Sequence, residues 1–137
     1  MGSVKGRFGC GSIRIGIDIW KCDPEKLTKP EIWEGELRKL VSERGLGARR
    51  AFVDPYDGGM FSGFELFLTL DDSFIAVETW PAGLPAVCPH PYVKVVLDFC
   101  HHSGDHAEDA EWVARKIEDF VRIPGTVTSY ERTYHGP

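Results

Sequence analysis

The sequence predicts an α+β domain, a mainly antiparallel sheet with two helices packed on one face. Three observations carry this expectation. Strand-like segments follow one another through the middle of the chain, two amphipathic helical stretches stand outside that run, and no linker or low-complexity tract interrupts the 137 residues. The order is β-α-β-β-β-β-α-β, in a chain the size of one domain, 1–137. A sheet clothed on one face exposes apolar residues on the other unless something covers them, so a homodimer is expected.

Met1–Gly11 is glycine-rich and basic and is taken as a flexible extension. Ile13, Ile15, Ile17 and Ile19 alternate with Arg14, Gly16 and Asp18, the period of two of a half-buried strand, and Asp23-Pro24 ends it. Thr28 stands three residues before Glu31 with Pro30 between them, which predicts a capped helix start. Ile32, Trp33, Leu37, Leu40 and Val41 follow at helical spacing, and Gly45 is placed to end that helix near Arg44. Ala48–Val53 reads as a second strand stopped by Asp54-Pro55, and Tyr56–Ser62 as a loop. Gly63–Leu70 and Phe74–Trp80 form a predicted hairpin across Asp71-Asp72-Ser73. Pro81–Pro91 holds four prolines and reads as loop, and Val93–Phe99 is a nearly continuous apolar, β-branched run suited to a central strand. Asp105 and Glu108 open a second amphipathic helix running to Val121, and Thr126–Tyr134 favours a last strand.

Hydrophobic residues at 42% and charged residues at 27% exclude a disordered chain. A net charge of −5 offers no broad cationic surface, which argues against nucleic acid as a partner. No apolar run approaches the ~20 residues of a membrane span, and the N-terminus has no apolar signal core, so a cytoplasmic location is expected. The loop Asp57-Gly58-Gly59-Met60 lacks the Lys and Ser/Thr of a phosphate-binding loop. Cys10, Cys22, Cys88 and Cys100 form no CxxC pair and are read as reduced thiols.

The segment Asp72–Pro81, Asp-Ser-Phe-Ile-Ala-Val-Glu-Thr-Trp-Pro, followed by Val95-Val96-Leu97-Asp98-Phe99-Cys100, resembles the short bacterial and archaeal form of S-adenosylmethionine decarboxylase. Asp18–Leu27 is similar to that family's first strand and the approach to its first helix, and Phe61-Ser62-Gly63 to the Ser-Gly before its hairpin. The resemblance implies a proenzyme that cuts itself between Asp72 and Ser73 and converts Ser73 into a pyruvoyl group. The ketone so formed condenses with the substrate amine and takes up the electrons left by CO₂ in polyamine (spermidine) synthesis. It further implies that Cys100 returns a proton to the substrate carbon and that Ser62 assists processing. Trp80 and Glu78 are then substrate-binding candidates.

The residues themselves leave plainer alternatives beside these roles. Ser73 follows two carboxylates at a hairpin tip, where backbone strain can be stored, yet Ser is also a common turn residue. Cys100 ends an apolar strand beside His101 and His102 and before a helix, which can lower a thiol pKa, yet such a Cys usually serves packing. Glu78 stands where the family has the His that takes a proton during processing and is a catalytic candidate in its place, a weaker base unless burial raises its pKa; Ala82 stands where the family has Glu. The Ser62–Ser73 stretch and the proline-rich loop are both longer than the family's. These departures define a second reading: an uncleaved, inactive homologue that binds a ligand or regulates a partner, or a decarboxylase of another amino acid with Glu78 as amine ligand. A rival constellation is metal, with Cys88, His90, Cys100, His101, His102 and His106 as closely spaced zinc ligands.

Overall fold

Isoleucines at every second position build β1 (Ser12–Trp20), the first strand of the sheet. In the computed structural model, residues 12–56, 63–84, 87, 89–100, 106–124 and 129–135 are described, Ser12 and the last segment by backbone alone. After β1 come a 3-10 turn (Pro24–Thr28), α1 (Pro30–Glu43), β2 (Ala48–Tyr56), β3 (Gly63–Leu70), β4 (Phe74–Trp80), β5 (Tyr92–Cys100), α2 (Ala107–Val121) and β6 (Ser129–His135). The strands form one six-stranded sheet in the order β2-β3-β4-β5-β1-β6, and every neighbouring pair is antiparallel. This is the expected α+β architecture.

Both helices lie on one face because their apolar stripes meet the inward set of each strand. Trp33, Leu37, Leu40 and Val41 of α1 and Ala110, Val113, Ala114, Ile117 and Val121 of α2 are buried against Ile15, Ile17, Leu66, Leu68, Val95 and Leu97. Trp33 joins the two helices. Its ring meets Phe120 edge-on at 5.1 Å, and its Nε1 donates to the Lys26 carbonyl at 2.8 Å, so a buried indole N–H is satisfied.

Three boundaries differ from expectation. Thr28 ends the 3-10 turn and gives its hydroxyl to the Glu25 carbonyl at 3.0 Å; Lys29 occupies the α1 cap position without a side-chain bond. The capping carboxylate is Asp23, which accepts the Glu25 N–H at 3.1 Å and serves the 3-10 turn. β2 runs through Asp54-Pro55 to Tyr56, because an edge strand tolerates a proline whose missing N–H costs no ladder bond. At α2 the cap position belongs to His106, without a side-chain cap bond. Gly45, with φ 72°, ends α1 as expected.

The uncovered face is ordered in cross-strand rows. One row sets Asp54 opposite Glu65, Glu65 opposite Glu78, Glu78 opposite Lys94 and Lys94 opposite Asp18. Beside it, Trp80 and Tyr92 stack at 5.1 Å, Tyr92 and Trp20 at 5.5 Å, and Tyr56 leans on Trp80 at 6.1 Å. Phe52 opposite Phe67 lies on the other side of the charged row, both exposed.

Candidate functional site

Ser73 stands at the β3–β4 turn, half-buried, after the exposed Asp71 and Asp72. Its carbonyl accepts the Leu70 N–H at 2.8 Å, which closes the turn. Its Oγ accepts the Cys100 backbone N–H at 2.9 Å and lies 3.4 Å from Asp72 Oδ1, to which it donates. Asp71, Asp72 and Ser73 all have negative φ; among the described residues Lys21 is the one non-glycine in the left-handed region. The expected store of backbone strain at this turn is therefore not found there.

Cys100 is a free, half-buried cysteine at the end of β5. The antiparallel register that sets Phe74 opposite Asp98 carries the backbone of Cys100 to Ser73. Asp98 in turn accepts two bonds from Arg14, at 2.9 Å from Nε and 2.5 Å from Nη2, leaving a guanidinium over the Phe74 ring. Ser73, Asp72 and Cys100 thus meet at one end of the sheet.

Within one chain Glu78 does not meet Ser73. It lies five residues along β4, ~16 Å at the usual strand rise, beyond the reach of its side chain. Glu78 instead lines a depression of about 250 Å³ on the open face, with Asp54, Glu65, Phe52, Phe67 and Ala76. Trp80 does not line it; its ring meets Tyr56, whose hydroxyl donates to Glu65 Oε1 at 3.4 Å. Burial, then the carboxylates Glu65, Glu78 and Asp54, push the Tyr56 hydroxyl well above the ordinary tyrosine range, so it stays a neutral donor. Sequence alone singled out Glu78 and Trp80 but missed Asp54, Glu65 and Tyr56, because only the cross-strand register brings them together.

Thr79, of the Thr-Trp-Pro run, is a structural hub. It is fully buried; its Oγ1 donates to the Leu27 carbonyl at 2.8 Å and accepts the Phe64 N–H at 3.0 Å, tying β4 to the 3-10 turn and to β3. Ser62, Cys88, His101 and His102 lie outside the described residues, so their expected roles have no structural counterpart here. Among the described residues no group of three or more His, Cys, Asp or Glu could hold a metal ion, and no helix is long and apolar enough to cross a membrane.

A half-buried cysteine on the strand beside position 73, and a backbone N–H on the Oγ that would have to attack the preceding carbonyl, are compatible with a keto prosthetic group made from that serine.

No protein-family model matches this chain, and no curated protein matches it in sequence. A solved structure does: the adenosylmethionine decarboxylase from Aquifex aeolicus VF5, with a TM-score of 0.70 over 91% of this chain and 88% of that one, at 18% sequence identity. At that identity the likeness is one of fold, and the chain therefore has the fold of an adenosylmethionine decarboxylase.

Proposed function

We propose that this protein is a pyruvoyl-dependent decarboxylase of S-adenosylmethionine or another amino acid, self-processed between Asp72 and Ser73. The observation that carries the reading is the 2.9 Å bond from the Cys100 N–H to Ser73 Oγ, which joins the scissile position and the proposed proton donor. A pyruvoyl group at position 73 supplies an electrophilic ketone that acts as the electron sink when the substrate loses CO₂.

The chain's own residues do the rest. The Ser73 hydroxyl attacks the Asp72 carbonyl carbon, and its orientation comes from the Cys100 N–H. Cys100, half-buried beside position 73, gives its thiol proton to the substrate carbon after CO₂ leaves. Glu78 and Trp80, on the open face with Glu65 and Asp54, offer negative charge and aromatic surface to a cationic ligand; within one chain they lie too far along β4 to hold the cation of a substrate joined at position 73. A second copy of the chain covers this face, which otherwise exposes Phe52 and Phe67. Size-exclusion chromatography with light scattering tests that dimer, and a monomer at all concentrations would refute it.

Intact-mass analysis and a denaturing gel test the main reading. The 15.4 kDa chain is expected to resolve into two fragments divided between Asp72 and Ser73, and Ser73→Ala to stay whole. A wild-type chain that stays whole after long incubation overturns self-processing. The relaxed dihedrals of the turn favour one alternative, an uncleaved homologue that binds the same cationic ligand. In that case S-adenosylmethionine raises the melting temperature of the intact chain.

A further inference from the structure

Among the described strands β2 (Ala48–Tyr56) ends the sheet, with β3 on one side and an open backbone edge on the other. Two observations say which residues face that edge. The Arg50 N–H donates to Thr69 Oγ1 at 3.0 Å, and the Arg50 carbonyl accepts the same hydroxyl at 3.2 Å, so the polar backbone of Arg50 turns inward to β3. Pro55 has no N–H for a ladder and sits where its nitrogen faces outward. Backbone groups alternate along a strand, so both observations agree: Ala51 and Val53 point their N–H and C=O groups out of the sheet, Phe52 and Asp54 inward.

The side chains around this edge are bare on both faces. Phe52 is 56% exposed on the open face, beside Phe67 across the pair. Val53 stands opposite the buried Leu66, on the helix side, and is still 42% exposed. Covering one face alone leaves part of this apolar surface in water. Charge is arranged about the same stretch. Arg50 and Asp54 lie two residues to either side of Phe52, both exposed. Among the described residues neither is in an ion pair within its own chain. The bulge between Ala48 and Ala51 and the proline at 55 bound a short window, with a cation at one end and an anion at the other.

We propose that β2 pairs antiparallel, edge to edge, with β2 of a second copy of this chain, with Phe52 on the two-fold axis. That register sets Ala51 opposite Val53 of the second copy, and their outward backbone groups exchange N–H···O bonds in both symmetry-related pairs. It also sets Arg50 opposite Asp54 of the second copy, in the non-hydrogen-bonded pairs where side chains come closest. Moving the axis by two residues brings Arg50 against Arg50 or Asp54 against Asp54, so the charges select one register. The contact extends the sheet in its own plane. It is separate from the covering of the open face, and it is independent of the chemistry at Ser73.

Sedimentation velocity of the full-length chain over a range of concentrations tests it. The chain should associate, and Val53→Pro, which removes an outward N–H and no bond inside the sheet, should halve the mass of the particle. Arg50→Glu, which sets like charge against Asp54, should raise the dissociation constant ~10-fold at low salt. Arg50→Asp combined with Asp54→Arg should restore it. Phe52→Cys should join its own copy under diamide, since residues opposed in such a pair are ~4.5 Å apart at Cα. Stacked sheets stand ~10 Å apart, too far for that bond, so an open-face dimer alone yields no disulfide-linked 52–52 peptide. A wild-type monomer at every concentration overturns the proposal and leaves the edge to an extended segment of another protein. A particle whose mass Val53→Pro leaves unchanged, an Arg50→Glu chain that assembles like wild type, a double exchange that fails to restore assembly, or absence of the 52–52 peptide each overturns it as well. Melting curves identify variants that fail to fold, and Phe52→Cys, at an exposed position, decides the matter without them.

Discussion

The two faces of the sheet are made from the same strands and obey different rules. On the covered face, Ile15, Ile17, Leu68, Ile75, Val77 and Leu97 have no exposed surface, and their neighbours are helix side chains. One residue further along each strand, the open face carries a charged row flanked by aromatics, with Asp54, Glu65 and Glu78 set directly opposite one another. Like charges facing across strands oppose folding, so that row is maintained at a cost in stability. The comparison teaches a division of labour at a period of two: alternate residues hold the domain together, and the residues between them are available for a ligand.

Variants on each face sharpen that division. Trp33→Ala, which opens a cavity and removes the link between the helices, should cost ~3–5 kcal/mol in denaturant unfolding. Should it cost no more than a surface change, the covered face is not the seat of stability. Thr79→Val preserves shape but leaves the Leu27 carbonyl and the Phe64 N–H without their buried partner, for a loss of ~2 kcal/mol. Asp109→Asn should cost about 1 kcal/mol near neutrality, since its side chain is partly exposed and bonded to Arg44 and His106. Because the folded carboxyl is held below its ordinary value of 3.8, that stabilisation is present above this value and fades as the pH falls below it. The wild-type and Asn curves should therefore converge in acid. Glu65→Gln is the smallest effect and has the opposite sign: relief of two like-charge contacts should stabilise by ~0.5 kcal/mol at neutral pH. A loss of stability there would mean that the acidic row is held by contacts of its own.

Most of the scaffold was legible because strand alternation and helix spacing are local. Ile13 to Ile19, Trp33 to Val41 and the glycine at 45 are understood without knowing what they touch. Misreadings came where a local signal had two uses. Thr28 beside Glu31 looks like a cap, but Pro24 and Pro30 each start their own turn and pass capping to Asp23. Asp54-Pro55 looks like a stop, but an edge strand has one side with no ladder to break. The site was legible in its residues and opaque in its arrangement. Cys100 reaches Ser73 through register, Glu78 is removed from it by strand rise, and His106 comes to line a cavity with it only when α2 folds back over the sheet. None of these relations is carried by neighbouring letters.

The placement of β1 has a mechanical result. A break between residues 72 and 73 divides the strands into β1, β2 and β3 on one fragment and β4, β5 and β6 on the other. Yet β1 is zipped between β5 and β6, and β3 against β4. The two fragments would be interlocked at both ends of the sheet, so a nicked molecule needs no covalent tie to remain one particle and should part only in denaturant.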